Sequence, residues 1–225
     1  MTTDTGEGRG EGRGEGRVVL VPAERLAGWL TRFAERHGPL STAPAAAEVV
    51  VSAPDGAVAV VEVPFPPLRG ALAVAGTGPL VEHVLAERSV GAVLVRKGGY
   101  AVGWFAGRRL QASKVGSAYV QGRTKAGGWS QQRYARRREN QTNQAYAEAA
   151  DVVATVLLPH AHRLAAVVGG GDAAGVHAVL EDPRLAPLRA RLLSRVLPTP
   201  DPRLRVLQTF GDQLREVRIT LNAQA

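Results

Sequence analysis

Residues 89–120 read SVGAVLVRKGGYAVGWFAGRRLQASKVGSAYV, and the fold is decided there. Residues 90–95 and 100–105 are β-branched and aromatic runs that flank Gly98 and Gly99, the pattern of a hairpin. Residues 110–120 continue as a third strand. Downstream, a long helical pattern covers residues 132–158 and stops at Pro159. A strand over 164–168, a helix over 173–180, a strand over 193–197, a helix over 203–214 and a strand over 217–221 follow. Three antiparallel strands and then alternating helices and strands predict an α/β domain over 89–225, with a mixed sheet of the ribonuclease-H-like kind.

Working outward, residues 6–17 are three copies of Gly-Glu-Gly-Arg. Their charges cancel and their glycines resist ordering, so residues 1–17 are expected to be a disordered tail. Residues 18–88 read as an N-terminal α/β unit. Pro22 suits a first helical turn, and Leu26, Trp29, Leu30 and Phe33 recur at helical spacing until Gly38 and Pro39. Valine-rich runs at 49–51 and 58–63 flank the turn signal Pro54-Asp55-Gly56, and 80–88 reads as a short helix.

The net charge of +8 and pI near 10.7 favour a polyanionic partner. Of 28 Lys and Arg only Lys97, Lys114 and Lys125 are lysines, and Ala, Gly and Val are abundant, as a GC-rich coding bias produces. Where the arginines lie therefore carries more information than their number. The absence of cysteine rules out disulfides, thiolate zinc sites and cysteine nucleophiles. With no signal-peptide core and no run of roughly 18 apolar residues, a soluble, cytoplasmic, membrane-free protein is expected.

The usual catalytic sets are missing. A two-metal nuclease needs convergent carboxylates, and the first strand of the domain offers Val93, Leu94, Val95, Arg96 and Lys97, where cations are repelled. His160 and His162 lack acidic neighbours and read as a helix end, and His37, His83 and His177 are isolated. Residues 167–175, VVGGGDAAG, loosely match a phosphate-cradling strand, glycine turn and helix. Arg189 and Ala190 occupy the place of the ribose-binding acid, and no Lys-Ser/Thr pair follows, so a tight turn is the simpler reading. No metal and no cofactor are expected.

Residues 122–140, GRTKAGGWSQQRYARRREN, stand apart. Gly122, Gly127 and Gly128 free the backbone of a loop over 122–132. Arg123, Lys125, Arg133, Arg136, Arg137 and Arg138 place six positive charges against Glu139 alone, which suits phosphates. Trp129 and Tyr134 add surfaces for unpaired bases. Residues 132–144 are polar on every side, so this half of the helix has nothing to bury in its own protein.

Gly128-Trp129-Ser130-Gln131, preceded by Lys125-Ala126-Gly127 and followed by the basic helix, resembles the Gly-x-x-Gln loop of the Vms-like release factors. These are relatives of the archaeal and eukaryotic class I peptide release factors, which carry Gly-Gly-Gln. The resemblance covers about residues 89–221 and points to the actinobacterial branch. Trp129 departs from the smaller residues expected in such a tip, and the zinc-finger and ankyrin segments of eukaryotic members have no counterpart. The resemblance implies a release-factor catalytic domain that frees nascent chains from peptidyl-tRNA on stalled or split large ribosomal subunits, as ribosome quality control requires. Gln131 would then be catalytic, Gly127 and Gly128 would shape its loop, and Arg123, Lys125, Trp129, Arg133, Arg136, Arg137 and Arg138 would hold RNA. A glutamine amide is no general base, so its part is to orient water and stabilise charge. The large subunit and peptidyl-tRNA are the expected partners and a monomer the expected state. Two alternatives stay open: metal-independent cleavage of tRNA near its 3′ CCA end, and ribosome binding without catalysis.

Overall fold

The structure, a computed structural model, describes residues 16–68, 76–97, 99–117 and 130–225, with the side chains of 130–139 outside the description. In chain order the elements are β1 (Arg17–Pro22), α1 (Leu26–His37), β2 (Ser41–Pro44), β3 (Glu48–Ser52), β4 (Val58–Glu62), α2 (Gly78–Leu85), β5 (Ser89–Arg96), β6 (Gly99–Ala106), β7 (Arg109–Ser117), α3 (Ser130–Leu157), β8 (Ala166–Gly171), α4 (Ala173–Leu180), α5 (Ala186–Arg189), α6 (Leu204–Gln213) and β9 (Glu216–Leu221). They form two compact units, Met1–Leu85 with Glu216–Ala225, and Ala86–Arg215.

The first unit is built on an antiparallel sheet of order β1-β9-β4-β3-β2. Alternation puts Val49, Val51, Ala59, Val61, Val217 and Ile219 on one buried face, where Leu26, Leu30 and Phe33 of α1 cover them. The β3–β4 hairpin turns where its sequence says it should. Asp55 Oδ1 accepts the Ala57 N–H at 3.0 Å, and Gly56 takes a φ of 90° that a side chain would disfavour. Helix α1 ends at Gly38, whose N–H reaches the Ala34 carbonyl at 2.8 Å.

Three expectations change here. Arg17 pairs with Leu221 in β1, so the tail expected over 1–17 yields at least its last residue to the sheet; residues 1–15 lie outside the described residues. Pro22 ends β1 instead of entering a helix. Residues 216–221, expected to close the domain over 89–225, instead lie between β1 and β4 in the first unit. Asn222 fastens them there: its side chain accepts from Val58 N–H at 2.9 Å and donates to the Gly56 carbonyl at 2.9 Å.

The second unit has a four-stranded sheet of order β7-β6-β5-β8, antiparallel across the first three strands and parallel between β5 and β8. The strand expected over 193–197 is reduced to two parallel bridges beside β8, Val167 with Leu192 and Gly170 with Leu197. Pro198, Pro200 and Pro202 follow at once and supply no backbone donors to extend it. Helices cover both faces. Val93, Val95 and Val102 pack with α3 and α4, whereas Leu94 and Phe105 meet Phe210 and Gly211 of α6. The mixed α/β character matches the expectation, and α4 spans the residues read as a helix.

Candidate functional site

Helix α3 organises the basic segment. Its 28 residues extend about 42 Å at 1.5 Å per residue. The second half is anchored: Ala149, Ala150, Val152, Val153, Val156 and Leu157 are buried against the sheet. Gly91 of β5 makes room for this, since a Cβ there would come within 3.0 Å of a Leu157 methyl. Past its end, His160 stacks on Trp104 with ring centroids 3.6 Å apart, and Trp104 donates its indole N–H to Ser89 Oγ at 2.7 Å. On the flank, Arg184 donates to Asp151 of α3 at 2.7 Å and to Asp182 at 2.6 Å. The side-chain hydrogen bonds from Arg184 to Asp182, with that from the Arg184 backbone, hold Asp182 down at a pKa of about 2.

From residue 140 to 148 no side chain of α3 is buried. Ala145 is only half-buried, so the anchored stretch begins at Ala149. The helix starts at Ser130, two residues before the expected start, which puts Gln131 in its first turn. Arg133, Arg136, Arg137 and Arg138 occupy the following turns. Cations near a helix N-terminus oppose its dipole, and Arg133 and Arg137 are like charges four residues apart. The arrangement is unfavourable to the helix alone and favourable to an anion beside it.

Of the residues expected in the site, Arg123, Lys125, Gly127, Gly128 and Trp129 lie outside the described residues. For Gln131, Arg133, Arg136, Arg137 and Arg138 the backbone is described and the side chains are not. The basic segment thus joins β7 to the start of a helix that is buried at its other end.

The other candidates resolve into packing. In the glycine run of β8, a Cβ on Gly169 would strike Val176 and one on Gly170 would crowd Leu94, Thr199 and Phe210. Asp172 caps α4 by accepting the Ala174 N–H at 3.2 Å, which puts a carboxylate where a bound phosphate would need donors. Arg96, at the end of β5, is turned to the Thr199 carbonyl at 2.7 Å. Among the described residues no three His, Asp or Glu side chains gather as metal ligands, and no helix is long and apolar enough to cross a membrane.

Comparison with known proteins supplies the class, a translational release factor. The model of the family acVLRF1, the Actinobacteria/chloroflexi VLRF1 release factor, matches residues 88–220, more than half of the chain, and the chain belongs to that family. Among solved structures, the crystal structure of the archaeal translation termination factor aRF1 is similar at 17% identity and a TM-score of 0.44, over 73% of this chain and 51% of that one. A second structure, titled only as an archaeal protein, is similar at 16% identity and a TM-score of 0.39 over the same shares. The chain spans about half the length of each.

Proposed function

We propose that this protein hydrolyses the ester bond of peptidyl-tRNA on stalled or split large ribosomal subunits, with Gln131 positioning the attacking water. The observation that carries this reading is the placement of Gln131 in the first turn of a helix in which, among the described side chains, burial begins at Ala149. The eighteen residue steps between them give a reach of about 27 Å. A tip on such an arm can enter a site that another molecule builds. Family membership supplies the context of translation.

The chemistry is modest for the protein. Water attacks the ester carbonyl carbon, the oxyanion of the tetrahedral intermediate forms, and the bond to the tRNA 3′-terminal ribose oxygen breaks. That oxygen takes up a proton, and the peptide leaves with a free carboxyl group. Gln131 has an amide with two donors and one acceptor, so it can hold water and donate to the oxyanion but cannot take a proton as a base. Orientation of this kind contributes up to roughly 7–11 kcal/mol in well-aligned systems. Arg123, Lys125, Arg133, Arg136, Arg137 and Arg138 would grip ribosomal or transfer RNA phosphates, Trp129 would stack on an unpaired base, and Gly127 and Gly128 would open the backbone path. The sheet order β7-β6-β5-β8, continued by the bridges at Leu192 and Leu197, supports a ribonuclease-H-like assignment for the second unit.

The test is release of peptide from peptidyl-tRNA on purified large subunits, with the tRNA 3′ end mapped. Gln131→Ala is expected to lower the rate by about 100–1,000-fold, the usual cost of losing a transition-state donor, while binding persists and the CCA end stays intact. Unchanged release by this variant, or a shortened tRNA, overturns the reading.

A further inference from the structure

The first unit has its own concentration of positive charge. Trp29, Phe33 and His37 follow one another at four-residue steps along α1, with the Trp29 and Phe33 rings stacked at 5.2 Å and 15° and the Phe33 and His37 rings 4.6 Å apart. Arg32 and Arg36 flank this ladder on the same helix, and Arg17 reaches it from β1. None of the three guanidinium groups makes an ion pair or hydrogen bond with a described residue. Together the rings and arginines line a pocket of about 120 Å³.

We propose that this pocket is a second RNA contact, which takes one unpaired nucleotide of a single strand with its base on the aromatic wall and its neighbouring phosphates on Arg17, Arg32 and Arg36. Three cations, with no Asp or Glu side chain among the lining residues, call for an anion. The aromatic wall calls for a planar apolar group on that anion, and an RNA strand offers both at every residue. The size decides between a strand and a free nucleotide. Small-molecule sites enclose roughly 300–1,000 Å³, so this pocket suits one planar group presented by a longer chain. His37 closes one end of the wall: its side chain is 8% exposed, its Nδ1 is hydrogen-bonded to Asp55 Oδ2 at 2.7 Å, and its buried Nε2 has no partner among the described residues.

The experiment uses the full chain carrying Arg136→Gln and Arg137→Gln, which weakens the loop site, and measures anisotropy of a fluorescein-labelled single-stranded oligouridine across a salt series. Adding Arg32→Gln and Arg36→Gln is expected to raise Kd about tenfold and to reduce the slope of log K against log salt by about 1.4, at roughly 0.7 per single-strand phosphate. Both residues are exposed on a helix, and an unchanged circular-dichroism melting curve shows that the fold persists. Photocrosslinking with 4-thiouridine is expected to mark the peptide around Trp29. Unchanged Kd and slope, or crosslinks confined to residues 122–140, overturn the proposal. So does displacement of the RNA by poly-aspartate or by free uridine monophosphate as effectively as by unlabelled RNA. Ester hydrolysis is not the readout, so this inference and the proposed function fail separately.

Discussion

Gly175 of α4 lies against Tyr146 of α3: a Cβ at position 175 would stand 3.2 Å from the phenol oxygen and 2.8 Å from Cγ1 of Val95. The contact sits where α3 leaves the core. Burial, and after it the charge of Asp172, pushes the Tyr146 phenol above its usual pKa of 10. Gly175→Val is expected to cost about 1–3 kcal/mol through overpacking, measured by urea denaturation. Gly175→Ala regains about 1 kcal/mol of helix propensity and is expected to cost less.

The two halves of α3 are expected to differ in what they contribute to stability. Leu157 is fully buried, and Leu157→Ala should cost about 2–5 kcal/mol through the cavity it leaves. Gln144 is exposed and, among the described residues, bonded to Glu148 one turn on, so Gln144→Ala should change stability by less than about 0.5 kcal/mol. Equal costs in denaturation experiments would contradict the division at Ala149.

Asp182 gives a stability change in acid. Hydrogen bonds from the Arg184 side chain and then its backbone lower the carboxyl from 3.8 to about 2. The folded value lies below the unfolded one, so the stabilisation is present above pH 3.8 and is lost as the pH falls toward 2. The group is partly exposed, so added salt should shrink the effect. Asp182→Asn is expected to flatten the fall in thermal midpoint between pH 4 and pH 2.

Arg136 and Arg137 are expected to act on affinity and not on chemistry. Arg136→Ala with Arg137→Ala should weaken binding to large subunits and reduce the salt slope by about 1.4 at roughly 0.7 per single-strand phosphate. At saturating protein the release rate should stay near that of the wild type. Single-turnover kinetics at two salt concentrations separate the two effects.

Much of this architecture was legible because it is local. The β3–β4 hairpin follows from Asp55 and Gly56, and α4 from the Asp172 cap, with every signal within a few residues of the structure it makes. Gln131 behind Gly127 and Gly128 was legible as a motif, whereas its position inside the first turn of α3 needed the helix boundary. The arginine pocket was not legible. Arg17 reads as the end of a charge-balanced repeat, Trp29 and Phe33 read as ordinary core, and only the pairing of β1 with β9 brings Arg17 to the ladder on α1.

The sequence by itself determined the β3–β4 and β5–β6 hairpins and the helices α1 and α4, that the start of α3 is basic and polar, and that the loop before it carries a glutamine behind paired glycines. It did not determine which sheet receives residues 216–221. Their alternation of Val217, Ile219 and Leu221 with polar residues suits the buried face of either sheet. The choice came from partners more than 150 residues away, through backbone pairing with β1 and β4 and the Asn222 bonds to Gly56 and Val58. A period of two specifies a strand with one buried face; only the tertiary structure supplies the edge to which it bonds.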